Sequence, residues 1–149
     1  MAPDNKKFEK YSDEELKLML AIAMQDDATK AKDSFMHFVK MVWPDFIDGY
    51  HHNIMAKKFE AIASGKLKRL IVNMPPRHTK SEFASYLFPA WLMGKKPKTK
   101  IIQATHTAEL SYRFGRKMRN LMNDEGYKKI FKDVHLRADS KASGRWETN

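Results

Sequence analysis

A lysine followed by a serine, Lys80-Ser81, stands directly after a polar turn and before a run that predicts a helix. Ahead of the turn lies an apolar run of strand length, residues 70–74, which Pro75 and Pro76 interrupt. A loop in that position can turn its backbone N–H groups inward, and the following helix presents its positive dipole end to an anion. Lys80 would then reach the β- and γ-phosphates of a nucleotide, and the Ser81 hydroxyl would bind Mg²⁺.

The glycines of the usual phosphate-loop pattern are missing. Met74 and Thr79 stand at the two positions where that pattern has glycine. Glycine matters there because it adopts positive φ angles without steric cost. The residues alone therefore leave two interpretations open, a phosphate-binding loop and an ordinary strand–loop–helix connection with an exposed lysine.

Composition narrows the class of protein. The chain has 149 residues, of which 42% are hydrophobic, so it can form a core. The absence of cysteine excludes a disulfide scaffold and a thiolate metal site. No apolar run approaches the roughly 20 residues that a membrane span needs, and the charged N-terminus lacks the apolar segment of a secretion signal. We expect a cytoplasmic protein that is not secreted.

The net charge of +10 is unevenly distributed along the chain. Residues 1–49 carry a balance of −3, and residues 50–149 carry +13. Such asymmetry is typical of a segment that faces a polyanion such as nucleic acid. The other interpretation is a solvated surface that acidic segments elsewhere balance.

Helical periodicity recurs along most of the chain. Ser12 and Glu15 form a capping-box pattern at the first helix start, from which Leu16, Met19, Leu20 and Ala23 make one apolar face. Proline at position 89 predicts a kink or break in the helix that follows Lys80. The later helices are predicted over residues 29–42, 50–64, 80–93, 107–123 and 125–131.

Two strands are predicted, over residues 68–74 and 100–105. Strand, helix, strand and helix in this order indicate a right-handed parallel βαβ unit, and hence an α/β fold. Two strands are too few for a parallel sheet that is covered on both faces, so the sheet looks truncated. We expect a helical N-terminal lead over residues 1–49 and the first part of an ATPase core over residues 50–149.

Several segments resemble the large terminase subunit of tailed bacteriophages, a DNA-packaging motor. They cover about residues 40–149 and are Trp43-Pro44-Asp45-Phe46, Gly49-Tyr50-His51-His52, Lys68 to Ser81, Phe88-Pro89-Ala90-Trp91-Leu92 with Gly94, and Ile101 to Arg119. The resemblance implies a P-loop NTPase-type parallel sheet with flanking helices, followed in the family by a nuclease domain. In this family the phosphate loop often departs from the glycine pattern, and Pro-Pro-Arg-His is a familiar form of it.

The resemblance also implies roles for individual residues. Lys80 is similar to the phosphate-binding lysine and Ser81 to the Mg²⁺ ligand. Arg77 is similar to the loop arginine that stabilises the γ-phosphate, which suits the charge that an ATPase must neutralise. Arg77 could instead be held by a surface carboxylate. The residues expected to contact ATP are Pro76, Arg77, His78, Thr79, Lys80, Ser81 and His51.

The segment Tyr50-His51-His52 has two interpretations, contact with adenine and packing at a helix start, and packing is favoured. The two histidines are expected to point to different sides of the helix, and the six histidines show no metal-ligand spacing. The turn Thr105-His106-Thr107 resembles the segment that couples nucleotide state to DNA contact.

The acidic strand end that would position the attacking water is not found. The nearest candidate, residues 130–133, is rejected because it contains Lys132 and follows a helix. We therefore expect the front part of an ATPase, which hydrolyses ATP in the intact protein and shows little or no turnover as this fragment.

The implied partners are double-stranded DNA, the portal protein, the small terminase subunit and further copies in a ring, with no membrane. The implied location is the host cytoplasm during virus assembly. Two alternatives remain: a basic nucleic-acid-binding module on an incomplete NTPase fold, and a helicase-like ATPase.

Overall fold

Helices form most of the fold in the computed structural model, which describes residues 11–141 and 146–148. Residues 80–95 form one continuous helical stretch. It consists of a three-residue α-helix, a π-helical turn and a second α-helix. The α-helices are α1 (Asp13–Asp33), α2 (Phe35–Val42), α3 (Tyr50–Ala63), α4 (Lys80–Glu82), α5 (Phe88–Lys95), α6 (Ala108–Asn123) and α7 (Glu125–Ile130), with the π-helical turn over Phe83–Leu87 between α4 and α5.

The predicted parallel α/β sheet was wrong. The strands that the structure describes are β1 (Leu136–Lys141) and β2 (Trp146–Thr148), which pair antiparallel in a segment where no strand was predicted. Residues 68–74 and 100–105 adopt no regular secondary structure. The chain is therefore mainly helical, and the strand–helix–strand unit of a P-loop NTPase is not formed.

Alternating burial explains why residues 68–74 resembled a strand in sequence. Leu70, Val72 and Met74 pack against the helical core, whereas Ile71 between them is 85% exposed. The second predicted strand behaves similarly, since Ile102 is 97% exposed. A short apolar run does not distinguish a sheet strand from a connection that lies against helices.

The N-terminal helices begin where side chains cap them. Ser12 Oγ accepts from the Glu15 N–H at 3.3 Å, and Glu15 accepts from the Ser12 N–H at 2.8 Å, which confirms the predicted capping box. The predicted helix boundary at residue 29 was wrong, because α1 continues to Asp33. Ser34 then accepts from the His37 N–H at 3.4 Å and begins α2.

Most of α1 is solvent-exposed. Its predicted apolar face is not buried, since Met19 is 44% and Leu20 is 62% exposed, and Ala31 is the buried residue of this helix. Many charged side chains interrupt its sequence. None of the helices within the described residues is both long and apolar enough to cross a membrane.

The π-helical turn precedes Pro89, at which a kink or break was predicted. Proline has no N–H to donate to the carbonyl four residues earlier, which is that of Ser85. The Gln103 side chain donates to this Ser85 carbonyl at 3.1 Å. The helix thus continues through Pro89, and a side chain from residues 100–105 replaces the lost hydrogen bond.

Phe35 lies at the centre of the hydrophobic core. Its ring is fully buried and makes edge contacts with Phe59 at 5.5 Å, Phe83 at 5.6 Å and Trp91 at 5.5 Å between centroids. The helix that carries Phe35 lies before the predicted boundary at residue 49, and the other three rings lie after it. One core therefore includes residues from both predicted segments.

Buried polar groups of this core have partners. The Trp91 indole N–H donates to the Ala31 carbonyl, and the Tyr127 hydroxyl donates to the Ala90 carbonyl, both at 2.9 Å. Burial raises the pKa of Tyr127, so the phenol stays a hydrogen-bond donor. These two bonds fix α1 and α7 to α5.

Substitution of Gly94 by alanine is expected to destabilise the fold. A Cβ atom at position 94 would lie 2.5 Å from the Phe131 ring, and Phe131 is itself buried. Overpacking of this kind costs about 1–3 kcal/mol. Urea unfolding of Gly94→Ala against the parent chain measures this loss of stability. Equal stability of Gly94→Ala and the parent would contradict the packing described here.

Candidate phosphate-binding loop

The loop before α4 holds two residues in the left-handed region. Arg77 has φ 64° and Thr79 has φ 56°. Left-handed backbone costs a residue with a Cβ atom about 1–2 kcal/mol, and it is rarer still for a β-branched residue such as threonine. The missing glycine at position 79 therefore does not prevent the left-handed turn there, where the Thr79 hydroxyl is hydrogen-bonded. Strain of this kind is concentrated at functional sites.

Lys80 closes the loop. Its Nζ atom donates to the Met74 carbonyl at 3.4 Å, so that the first residue of the helix reaches back to the residue before the prolines. The ammonium group thus lies across residues 75–79. No side chain within the described residues caps the helix that begins here, so the N–H groups of its first turn remain available to an anion.

The acidic residue in this helical turn is neutralised. Glu82 accepts from Lys117 Nζ at 2.8 and 3.0 Å. Because a free carboxylate in the first turn would repel a phosphate, its pairing with a cation from α6 favours anion binding. Arg77 is exposed, and Lys80 has a neutral carbonyl as its partner. The loop therefore keeps two cationic side chains for a ligand.

Three histidines gather beside the loop. The rings of His51 and His52 lie 3.8 Å apart between centroids, and His51 lies 5.8 Å from His78. The prediction that the adjacent pair would point to different sides of the helix was wrong. His51 and His52 stand in the first turn of α3, where both rings fold toward the loop.

His52 contacts the loop directly. Its Nδ1 accepts from the Gly49 N–H at 2.9 Å, so the proton of the neutral ring is on Nε2. Nε2 lies 2.6 Å from Thr79 Oγ1, which in turn donates to the His78 carbonyl at 2.7 Å. This role of His52 was not predicted from the sequence. The only local signal was its position three residues after Gly49, from which it can cap the helix.

The remaining predicted site residues are distributed around the same loop. Pro76 is exposed, and its carbonyl accepts from His78 Nδ1 at 2.9 Å. Ser81 is exposed in the first turn of the helix. His51 Nε2 is buried and has no hydrogen-bond partner among the described residues. The structure thus brings Pro76, Arg77, His78, Thr79, Lys80, Ser81 and His51 to one region.

The residues around the loop suit phosphate better than a protein-held metal ion. Mg²⁺ is usually bound by one or two carboxylates together with phosphate oxygens. Ser81 offers a hydroxyl, but Glu82 is bound to Lys117, and no cluster of three metal-ligating side chains occurs in the described part of the chain. The predicted Mg²⁺ therefore lacks a carboxylate ligand here.

Acid is expected to destabilise the protein through His52. Burial, followed by the neighbouring His51, lowers the pKa of His52, while Asp48 opposes and His78 adds to the shift. The folded state therefore binds this proton more weakly than the unfolded chain does. Stability from the neutral ring is complete above about pH 6.5, the unfolded value, and is lost as the pH falls below it.

Thermal unfolding across this pH range measures the effect. His52→Gln is the matched variant, because glutamine cannot titrate, and the other five histidines are common to both chains. The parent should lose more melting temperature than the variant as the pH falls. If the melting temperatures of the two chains fell in parallel with pH, His52 would not contribute to the acid destabilisation.

Comparison with known proteins identified no relative, since no family model, curated protein or solved structure matches this chain.

Proposed function

We propose that residues 74–81 bind the phosphate groups of ATP. The observation that carries this proposal is the hydrogen bond from Lys80 Nζ to the Met74 carbonyl, because it holds a cation across a strained loop at an uncapped helix start. Lys80 would leave this single long hydrogen bond for a stronger, charge-assisted contact with phosphate. Arg77 would stabilise the terminal phosphate from the exposed side of the loop.

Rings beside the loop offer a place for the base. Tyr50 is 84% exposed at the start of α3, and the adjacent His51 ring reaches His78. Exposed aromatic rings such as that of Tyr50 stack on nucleobases. Packing at a helix start is the other interpretation of Tyr50, His51 and His52, and the 6% exposure of His52 favours packing for that residue.

The biological role that we propose is that of an ATP-dependent DNA-packaging motor subunit in virus assembly, acting in the host cytoplasm. Its support is the terminase-like sequence around the loop and the excess of positive charge. Arg113 and Arg116 are exposed on α6, and Lys117 of the same helix binds Glu82 beside the loop. This helix would therefore connect nucleotide binding to DNA contact. The portal protein, the small terminase subunit and a ring of copies follow from the resemblance as further partners.

A second candidate is a nucleic-acid-binding protein without ATPase activity. The observation that favours it is the absence, among the described residues, of an acidic cluster that could hold a metal ion. This candidate requires the same basic surface, and it predicts DNA binding that ATP does not change.

Duplex DNA binding measured with and without ATP distinguishes the two candidates. Both candidate functions predict that the affinity for DNA, measured by fluorescence anisotropy at two salt concentrations, falls steeply with salt, because phosphate contacts release counterions. A change of at least about threefold in DNA affinity on adding ATP, or about 0.65 kcal/mol, supports the motor. Unchanged affinity in the presence of saturating ATP supports the second candidate.

A further inference from the structure

Thr79 occupies a backbone conformation that favours glycine. Its φ of 56° lies in the left-handed region, directly before the lysine that closes the loop. Threonine carries two heavy substituents on Cβ, so it tolerates this region poorly. Other contacts must therefore compensate for this cost. The Thr79 carbonyl accepts from the Phe83 N–H at 3.0 Å, and the side chain of Thr79 makes two further hydrogen bonds.

The Thr79 hydroxyl uses both of its hydrogen-bonding functions. It accepts from His52 Nε2 at 2.6 Å and donates to the His78 carbonyl at 2.7 Å. Two bonds in opposite senses fix the rotamer of Thr79 and, through His78, the orientation of the preceding peptide. The backbone between Arg77 and Lys80 is thus held from α3, 27 residues earlier in the chain.

His52 is itself rigid. Its ring is 6% exposed and packs against Phe46 at 4.8 Å and Phe83 at 5.0 Å between centroids. The Gly49 N–H donates to its Nδ1, which leaves only Nε2 to carry the proton. Phe83 belongs to the helical stretch that starts at Lys80, so the same imidazole contacts the loop and the helix after it.

We infer that His52 is a positioning residue that replaces the conformational freedom of a glycine at position 79. By donating from Nε2 to the Thr79 hydroxyl, it holds the loop in the shape that receives phosphate. This inference rests on the proposed function for its ligand, ATP. The hydrogen-bond device itself is present without a nucleotide and can be tested without one.

Two substitutions of His52 distinguish the hydrogen bond of its Nδ1 from that of its Nε2. Glutamine places an amide N–H near the position of Nε2, so His52→Gln keeps the bond to Thr79 and loses the one to Gly49. Asparagine places an acceptor near the position of Nδ1, so His52→Asn keeps the hydrogen bond to Gly49 and loses the hydrogen bond to Thr79. Thr79→Gly removes the requirement for the contact altogether.

Thermal unfolding of the nucleotide-free chain provides the first test. His52→Asn should lower the melting temperature by about 3 °C more in the parent than in the Thr79→Gly background, because the loss of ring packing is common to both and the loss of the bond to Thr79 is not. The same loss in both backgrounds would overturn the inference, because His52 would then act through α3 alone. Long-range ¹H–¹⁵N correlation of the His52 ring adds an independent readout, and a proton on Nδ1 would also overturn it.

ATP binding by calorimetry provides the second test. His52→Asn should weaken binding at least about tenfold, while His52→Gln should retain affinity within about threefold of the parent. In the Thr79→Gly background, His52→Asn should have little further effect on the affinity for ATP. If the parent binds no ATP while the melting temperatures couple as described, the proposed function fails and the positioning role of His52 stands.

Discussion

Lys80→Ala is expected to weaken ATP binding by about 10- to 100-fold. The reason is the loss of a charge-assisted contact to phosphate, which is worth about 1.5–3 kcal/mol. The fold should persist, because Lys80 Nζ makes one hydrogen bond to Met74, at 3.4 Å. Isothermal calorimetry with ATP measures the binding, and circular dichroism verifies the helix content.

Lys98→Ala is the matched control for Lys80→Ala. Lys98 is an exposed lysine of the basic turn after α5, so its loss changes the net charge equally without touching the loop. The control should bind ATP as the parent does. Equal weakening of ATP binding in both variants would attribute that binding to the general positive charge of the chain and would refute the role of Lys80.

Phe35→Ala is expected to unfold much of the population, with a loss of about 3–5 kcal/mol. The ring is fully buried and contacts Phe59, Phe83 and Trp91. Since Phe83 packs against His52 as well, the cavity would also loosen the loop. Urea unfolding followed by tryptophan fluorescence measures the loss.

Ile102→Ala is the control for Phe35→Ala. Ile102 is a large apolar residue with 97% exposure, and its truncation should change stability by less than about 0.5 kcal/mol. Comparable losses of stability in the two variants would contradict the burial of Phe35 at the centre of the core. A loss confined to Phe35→Ala would confirm that α2 belongs to the same cooperative unit as α3 and α5.

Local signals predicted the helices well. The Ser12–Glu15 capping box depends on residues within one turn, and the structure forms it. The helix start predicted at residue 29 missed the cap at Ser34, which separates the exposed helix α1 from the buried helix α2.

The sheet could not be predicted from apolar runs alone. Leu70, Val72 and Met74 are half-buried on one side, and the same spacing serves a sheet strand and a connection packed on helices. Pairing depends on what lies beside the segment in space. The strands of the structure occur instead at Leu136–Lys141 and Trp146–Thr148, where no strand was predicted.

The loop was located from the sequence, but the device that shapes it was not. Lys-Ser after a proline turn is a local pattern, and it indicated the segment for which phosphate binding is proposed. The contact from His52 to Thr79 joins residues 27 positions apart, and no spacing rule relates them. Sequence reasoning recorded the missing glycine at position 79 and had no means of finding what replaces it.

Titration of the ¹⁵N-labelled chain with ATP, pyrophosphate and adenosine tests phosphate binding by residues 74–81 most directly. Backbone amide shifts confined to Arg77 through Ser81 and the first turn of α3 are expected with ATP. Pyrophosphate should reproduce the shifts of the loop amides, and adenosine should not. Loop amides that fail to respond to ATP and pyrophosphate, or that respond equally to adenosine, would contradict the assignment of this loop as a phosphate site.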